Sequence, residues 1–161
     1  MRYPRLFAAF TLFSVVASTT ACHRSKTYES TVEVTRLSVA RADQNGRATL
    51  TDLEISYVDC PGTQVEVVRG GEEFSACVSK LAVGAKIPVK VEHHWDAEGH
   101  YVWDVYQVAD CKRPRDPNDE ASFATVRECE EWKANGVVVG FECQISPKKA
   151  LLDKCPWFAR R

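Results

Sequence analysis

Along residues 31–108 the apolar positions recur mostly at every second residue, the period of a strand with one buried face. Thr31 to Ala40, TVEVTRLSVA, carries Val32 and Val34, then Leu37 and Val39. The pattern changes face near Thr35-Arg36, as a long strand with a bulge requires. Asp43-Gln-Asn-Gly46 reads as a turn, because Asn-Gly accepts positive φ, and Ala48 to Asp59 follows as a strand with Leu53, Ile55 and Tyr57 on one face. Cys60-Pro-Gly62 leads into a third strand, Gln64 to Arg69, ended by Gly70-Gly71. The period then lengthens. Phe74, Cys77, Val78 and Leu81 fall at i, i+3, i+4 and i+7, predicting a helix over Glu72 to Leu81 with two glutamates in its first turn, where the helix dipole favours them. A hairpin comes next: Val89, Val91, His93 and Trp95 alternate with polar residues, Asp96 to Gly99 turns, and Tyr101 to Val108 returns with apolar side chains on both faces. A strand buried on both faces fits a closed barrel packed against further chain.

The last third differs. Lys112 to Asn118 is a charged loop broken by prolines, and Asp119 to Ala134 predicts a helix with Phe123, Val126, Cys129 and Trp132 along one stripe, stopped by Asn135-Gly136. Val137 to Ile145 reads as a strand, and Ser146-Pro147 opens a final helix ending at Lys154, with Cys155-Pro-Trp-Phe158 closing the chain. The expected fold is mainly β: a small five-stranded barrel over 31–110, with a cysteine-rich helix-strand-helix appendage over 111–161 that is too small to hold a core alone.

Three strands, a short helix and a hairpin, with Val83-Gly-Ala-Lys-Ile-Pro-Val-Lys-Val91 at the entry to the fourth strand, resemble the OB-fold. The resemblance covers about half the chain, rests on element order, and implies a binding face for oligosaccharides, oligonucleotides or peptides. An SH3-like barrel or a small open sandwich matches the same order of elements.

The first 21 residues have the layout of a secretory signal peptide: Arg2 and Arg5, then the mostly apolar run Leu6 to Ala17, then Ser18-Thr-Thr-Ala21. That run is shorter than the roughly 20 residues of a membrane-spanning helix, and no second apolar run of that length follows. Ser18 to Cys22 resembles the lipobox of bacterial lipoproteins, although Thr19 stands where leucine is usual. The resemblance implies that Cys22 is acylated, palmitate being a typical chain, and becomes the mature N-terminus. Two or three acyl chains hold a protein on a membrane without a spanning helix. His23 after the cysteine, in place of Asp, implies outer-membrane delivery where sorting follows the well-studied Gram-negative pattern, with the domain facing the periplasm or the cell surface. Residues 22–30 would be a lipidated tether.

Composition narrows the function. At 161 residues, 45% hydrophobic and 10% aromatic, the chain is one domain with enough apolar matter for a core. Its formal charge is -1, and the 21 basic residues less Arg2 and Arg5 leave 19 against 22 acidic ones in the mature chain, so a general nucleic-acid binder is excluded. With Cys22 lipidated, Cys60, Cys77, Cys111, Cys129, Cys143 and Cys155 remain, an even set in an oxidising compartment that predicts three structural disulfides. No C-x-x-C occurs, and spacing alone leaves the pairing open.

Candidate chemistry is sparse. His93, His94 and His100, with Glu92, Asp96 and Glu98, form the densest polar cluster and are candidate Zn or Cu ligands, but adjacent histidines on a strand point to opposite faces. Ser146-Pro-Lys-Lys149 matches S-x-x-K without its companion motifs. Trp95, Tyr101 and Trp103 are candidate stacking residues for a ligand or partner. The reading is therefore a membrane-anchored envelope lipoprotein without catalytic residues or cofactor, a binding or assembly module whose partners are the membrane and an envelope protein. Its cysteine-rich texture resembles the small lipoproteins of gliding and predatory Gram-negative bacteria, some of which serve motility or secretion assemblies. A glycan- or metal-binding module built on the hairpin 89–108 is the first alternative, and a hydrolase the second.

Overall fold

The computed structural model describes residues 25–95, 100–142 and 148–159. The protein is mainly β. Strands β1 (Lys26–Ala42), β2 (Ala48–Tyr57) and β3 (Gln64–Gly70) form a meander, and helix α1 (Glu72–Val78) leads to the hairpin β4 (Lys86–Trp95) and β5 (Tyr101–Val108). A two-residue β6 (Cys111–Lys112), a 3-10 turn (Glu120–Phe123), strands β7 (Thr125–Ala134) and β8 (Val137–Glu142), helix α2 (Lys149–Lys154) and a 3-10 turn (Pro156–Phe158) complete the described elements.

One antiparallel sheet runs in the order β6-β5-β4-β1-β2-β3-β7-β8. Its spine is β1, whose first half pairs with β4 from Lys26↔His93 to Glu33↔Lys86 and whose second half pairs with β2. The register with β2 shifts between Val34 and Arg36, so the change of face at Thr35 is a bulge, and it lets one strand serve both neighbours. Residues Lys26 to Ser30, expected to be tether, are therefore strand, held by a ladder to β4.

The helix expected over Asp119 to Ala134 is instead the 3-10 turn followed by β7. Periodicity misled here because Cys129 and Trp132, three residues apart, suit a helical stripe, while β3 required a second neighbour. Val65 and Val67 on β3 are each 4% exposed on the face away from the main core. With 125–134 coiled into a helix, that edge of β3 would lose its hydrogen-bond partners. In the structure Gln64 pairs with Glu130 and Val68 with Thr125. Asn135 and Gly136, at φ 54° and 79°, make the turn of a β7–β8 hairpin and do not stop a helix. Residues 111–161 thus contribute to the same sheet as 31–110, and the last part is strand-strand-helix. The cap assigned to Ser146 lies outside the described residues.

The main core gathers Val32, Val34, Leu53, Ile55 and Val68 from the meander, Phe74 and Val78 from α1, and Val89, Val91, Trp103, Val105 and Val108 from the hairpin. Gly70 is required where α1 begins, since a Cβ there would lie 2.0 Å from Phe74 Cδ1. Trp157 and Phe158 enter this core from the C-terminus, with Phe158 edge-on to Tyr57 and Trp103 at 5.4 and 5.2 Å between ring centroids. Two disulfides between described residues fix the arrangement, and the Cys143 candidate lies outside those residues. Cys60–Cys155 ties the C-terminal segment to the β2–β3 connection, and Cys77–Cys111 ties α1 to β6. Cys129 is also disulfide-bonded.

Candidate functional site

The sheet has two chemically different ends. At one end lie the last residues of β1, the first of β2, the end of β3 with the start of α1, and the 114–122 loop. They enclose a cleft of about 590 Å³ lined by Arg41, Thr49, Gly71, Glu72, Glu73, Pro114, Arg115, Asp116, Pro117, Asp119 and Ser122. Both charges line it, and the arginines are held in place: Arg41 donates to Asp119 and Arg115 to Asp104. The loop is stiffened by two prolines and by the Asp116 carboxylate, which accepts the backbone N–H of Asn118 at 2.8 Å. Ser122 is 2% exposed, and its Oγ makes no hydrogen bond among the described residues.

Behind the cleft sits Arg113, which the sequence placed in a charged loop broken by prolines. It is 2% exposed. Its Nε donates to Arg69 O at 2.7 Å, Nη1 to Val105 O at 2.6 Å and Nη2 to Ala124 O at 2.6 Å. Those carbonyls belong to β3, to β5 and to the residue before β7. Strands β3 and β5 are not ladder neighbours, so one guanidinium fork laces β5 to the paired β3 and β7 backbones. The Phe123 ring stacks on it at 4.0 Å. Burial pushes the Arg113 pKa down to about 10, with Glu66 and Asp104 opposing the shift, so the side chain is still charged at neutral pH. Glu66 is itself buried and accepts the Tyr57 hydroxyl at 2.7 Å. On the outer surface Arg69 donates from Nε and Nη2 to the two carboxylate oxygens of Asp52, its cross-strand neighbour, at 2.7 and 2.9 Å, and this raises its pKa.

The residues singled out on the hairpin separate. Trp103 is 6% exposed and packs on Phe158, so it is core and cannot stack on a ligand. Trp95 is 36% exposed at the end of β4, and the side chain of Tyr101 lies outside the described residues. His93 Nε2 lies 3.2 Å from Ala159 O, whereas His94 Nε2 lies 3.6 Å from the Asp104 carboxylate. The two imidazoles thus engage different partners, His100 is exposed, and no grouping of three or more metal-ligating side chains occurs among the described residues. The turn carrying Asp96 and Glu98 is outside them.

What the sequence did not flag is the β7–β8 hairpin. Trp132 is 68% exposed, Val137 66%, Val139 53% and Phe141 52%, with the Trp132 ring lying over Gly140. Among the described residues no helix is long and apolar enough to cross a membrane. Comparison with protein-family models, with curated proteins and with solved structures finds no match in any of the three, so the reading of this site stands on its geometry.

Proposed function

We propose that this protein is a lipid-anchored lipoprotein of the bacterial cell envelope, delivered to the outer membrane, that works without catalysis as a binding or assembly module. The observation that carries this reading is the separation of the two ends. The chain enters the sheet at Lys26, four residues after Cys22, while the charged cleft lies at the far end of the same strand, beside Arg41. A module anchored at one end and grooved at the other presents its groove away from the bilayer. The cleft lining offers ion pairs, proline-stiffened backbone and one buried hydroxyl, a set suited to holding a polar polypeptide segment. The three-strand, helix, hairpin order supports an OB-like body, opened where β7 occupies the edge of β3.

The test is co-purification from solubilised membranes, comparing the wild type with a variant whose cleft charges are reversed, Glu73→Lys with Arg115→Glu. The wild type is expected to recover a defined envelope protein, and the variant to recover about tenfold less, the equivalent of about 1.4 kcal/mol of binding. Equal recovery by the two proteins would move the partner surface elsewhere.

A further inference from the structure

We infer that the end of the sheet opposite the cleft is a membrane-seating surface, on which the β7–β8 hairpin and the Trp95 tip rest in the headgroup region of the bilayer. The inference rests on the lipid anchor proposed above. The ladders place the parts. Lys26, the first residue of β1, pairs with His93, and β4 ends two residues later at Trp95. At the other end of the meander Tyr57 closes β2 opposite Val32, Gln64 opens β3 opposite Glu130, and β7 continues in that same direction to Ala134 before turning into β8. The entry of the chain, the tip of β4 and the tip of the β7–β8 hairpin therefore all point the same way.

Reach then decides what covers them. Lys26 is the fourth residue after Cys22, and four residue steps span at most about 14 Å. The hairpin runs four residues past the start of β3, an overhang of about 13 Å at the rise of a strand. Lys26 lies six residues beyond Val32 on this side and the hairpin tip four residues beyond Glu130, so an acyl-anchored Cys22 keeps both on the side that faces the headgroups, with the tip about two residues short of the level of Lys26. The side chains there suit that position. Trp132 and Val137 to Val139 are exposed around the tip, Phe141 is exposed further along β8, and Trp95 is exposed at the end of β4. Tryptophan favours the membrane interface, and apolar side chains seated there bury into the headgroup and acyl boundary. A protein strand added along β8 would use the hairpin's outer edge, leaving Trp95 and the turn exposed; a bilayer covers both tips at once.

The experiment uses the mature acylated protein in vesicles of phosphatidylethanolamine and phosphatidylglycerol, with bromines placed at different depths of the acyl chain. Trp132→Phe and Trp95→Phe assign the emission, since Trp103 and Trp157 are buried. Bromines near the headgroups are expected to quench Trp132 and Trp95 strongly, those near the midplane to quench them weakly, and Trp103 and Trp157 to lose little emission. Two results overturn the inference, and they are distinguishable. An unmodified Cys22 in the intact mass removes the anchor and the inference with it. An acylated, vesicle-bound protein with Trp132 and Trp95 unquenched leaves the anchor standing and turns the hairpin into a surface for a protein strand.

Discussion

Arg113→Met is expected to cost about 3–5 kcal/mol of stability, the scale for removing one member of a buried charged network. The loss has two sources. The carbonyls of Arg69, Val105 and Ala124 lose their shared donor inside the protein, and the buried Glu66 carboxylate loses the cation whose field it feels. Against a typical total of about 5–15 kcal/mol, that loss is from about a fifth of the stability to all of it. Lysine should restore only part, because a single ammonium cannot reproduce a planar fork aimed at three acceptors. Urea unfolding monitored at the tryptophans measures this, with an unchanged slope marking a stability effect. Combining Arg113→Met with Glu66→Gln should recover part of the loss, as expected for coupled groups. A loss of about 0.5 kcal/mol or less, the range of ordinary surface changes, would mean that the fork does not hold β3 and β5 together.

Removing the Cys60–Cys155 disulfide as Cys60→Ser with Cys155→Ser should be similarly severe. It closes a span of 95 residues, for which restriction of the unfolded chain gives about 4–5 kcal/mol. The Cys77–Cys111 span is 34 residues, and its loss should cost somewhat less, just under about 4 kcal/mol. The first bridge also has a structural consequence the second lacks. Cys155 directly precedes Pro156-Trp157-Phe158, whose rings fill the space between Tyr28, Tyr57 and Trp103. Near-ultraviolet circular dichroism should therefore lose tryptophan signal in the Cys60/Cys155 variant before global unfolding, and keep it in the Cys77/Cys111 variant. Equal losses with unchanged aromatic signal would show that α2 and its following turn dock without the bridge.

Much of the sheet was legible because local pattern and tertiary environment agreed. Val32 and Val34 alternate into the core, the change of face at Thr35 announced a bulge, and Asn45-Gly46 announced a turn that the Asp43 carboxylate closes by accepting the N–H groups of Asn45 and Arg47. The β7–β8 hairpin was misread although Asn135-Gly136 carried its signal. That dipeptide ends a helix as readily as it turns a hairpin, and the deciding fact, the open edge of β3, lies some 60 residues away in sequence and appears only on assembly. Arg113 was illegible for the same reason. Its three acceptors come from residues 69, 105 and 124, and its own neighbours, Lys112, Pro114 and Arg115, read as a charged loop broken by prolines. The candidate site followed suit: hairpin aromatics and histidines stood out by type, but Trp103 was taken up by the core. The cleft is assembled from four separate stretches of chain, none of which carries a motif.

The intact mass of the mature protein, taken without reduction after exposure to an alkylating agent, examines the proposed anchor at Cys22 and the closed set of disulfides above it together. It should begin at Cys22, carry the added mass of its acyl chains, and show no alkylated thiol. A mature chain that begins elsewhere, or a Cys22 that takes up the alkylating agent, would contradict it.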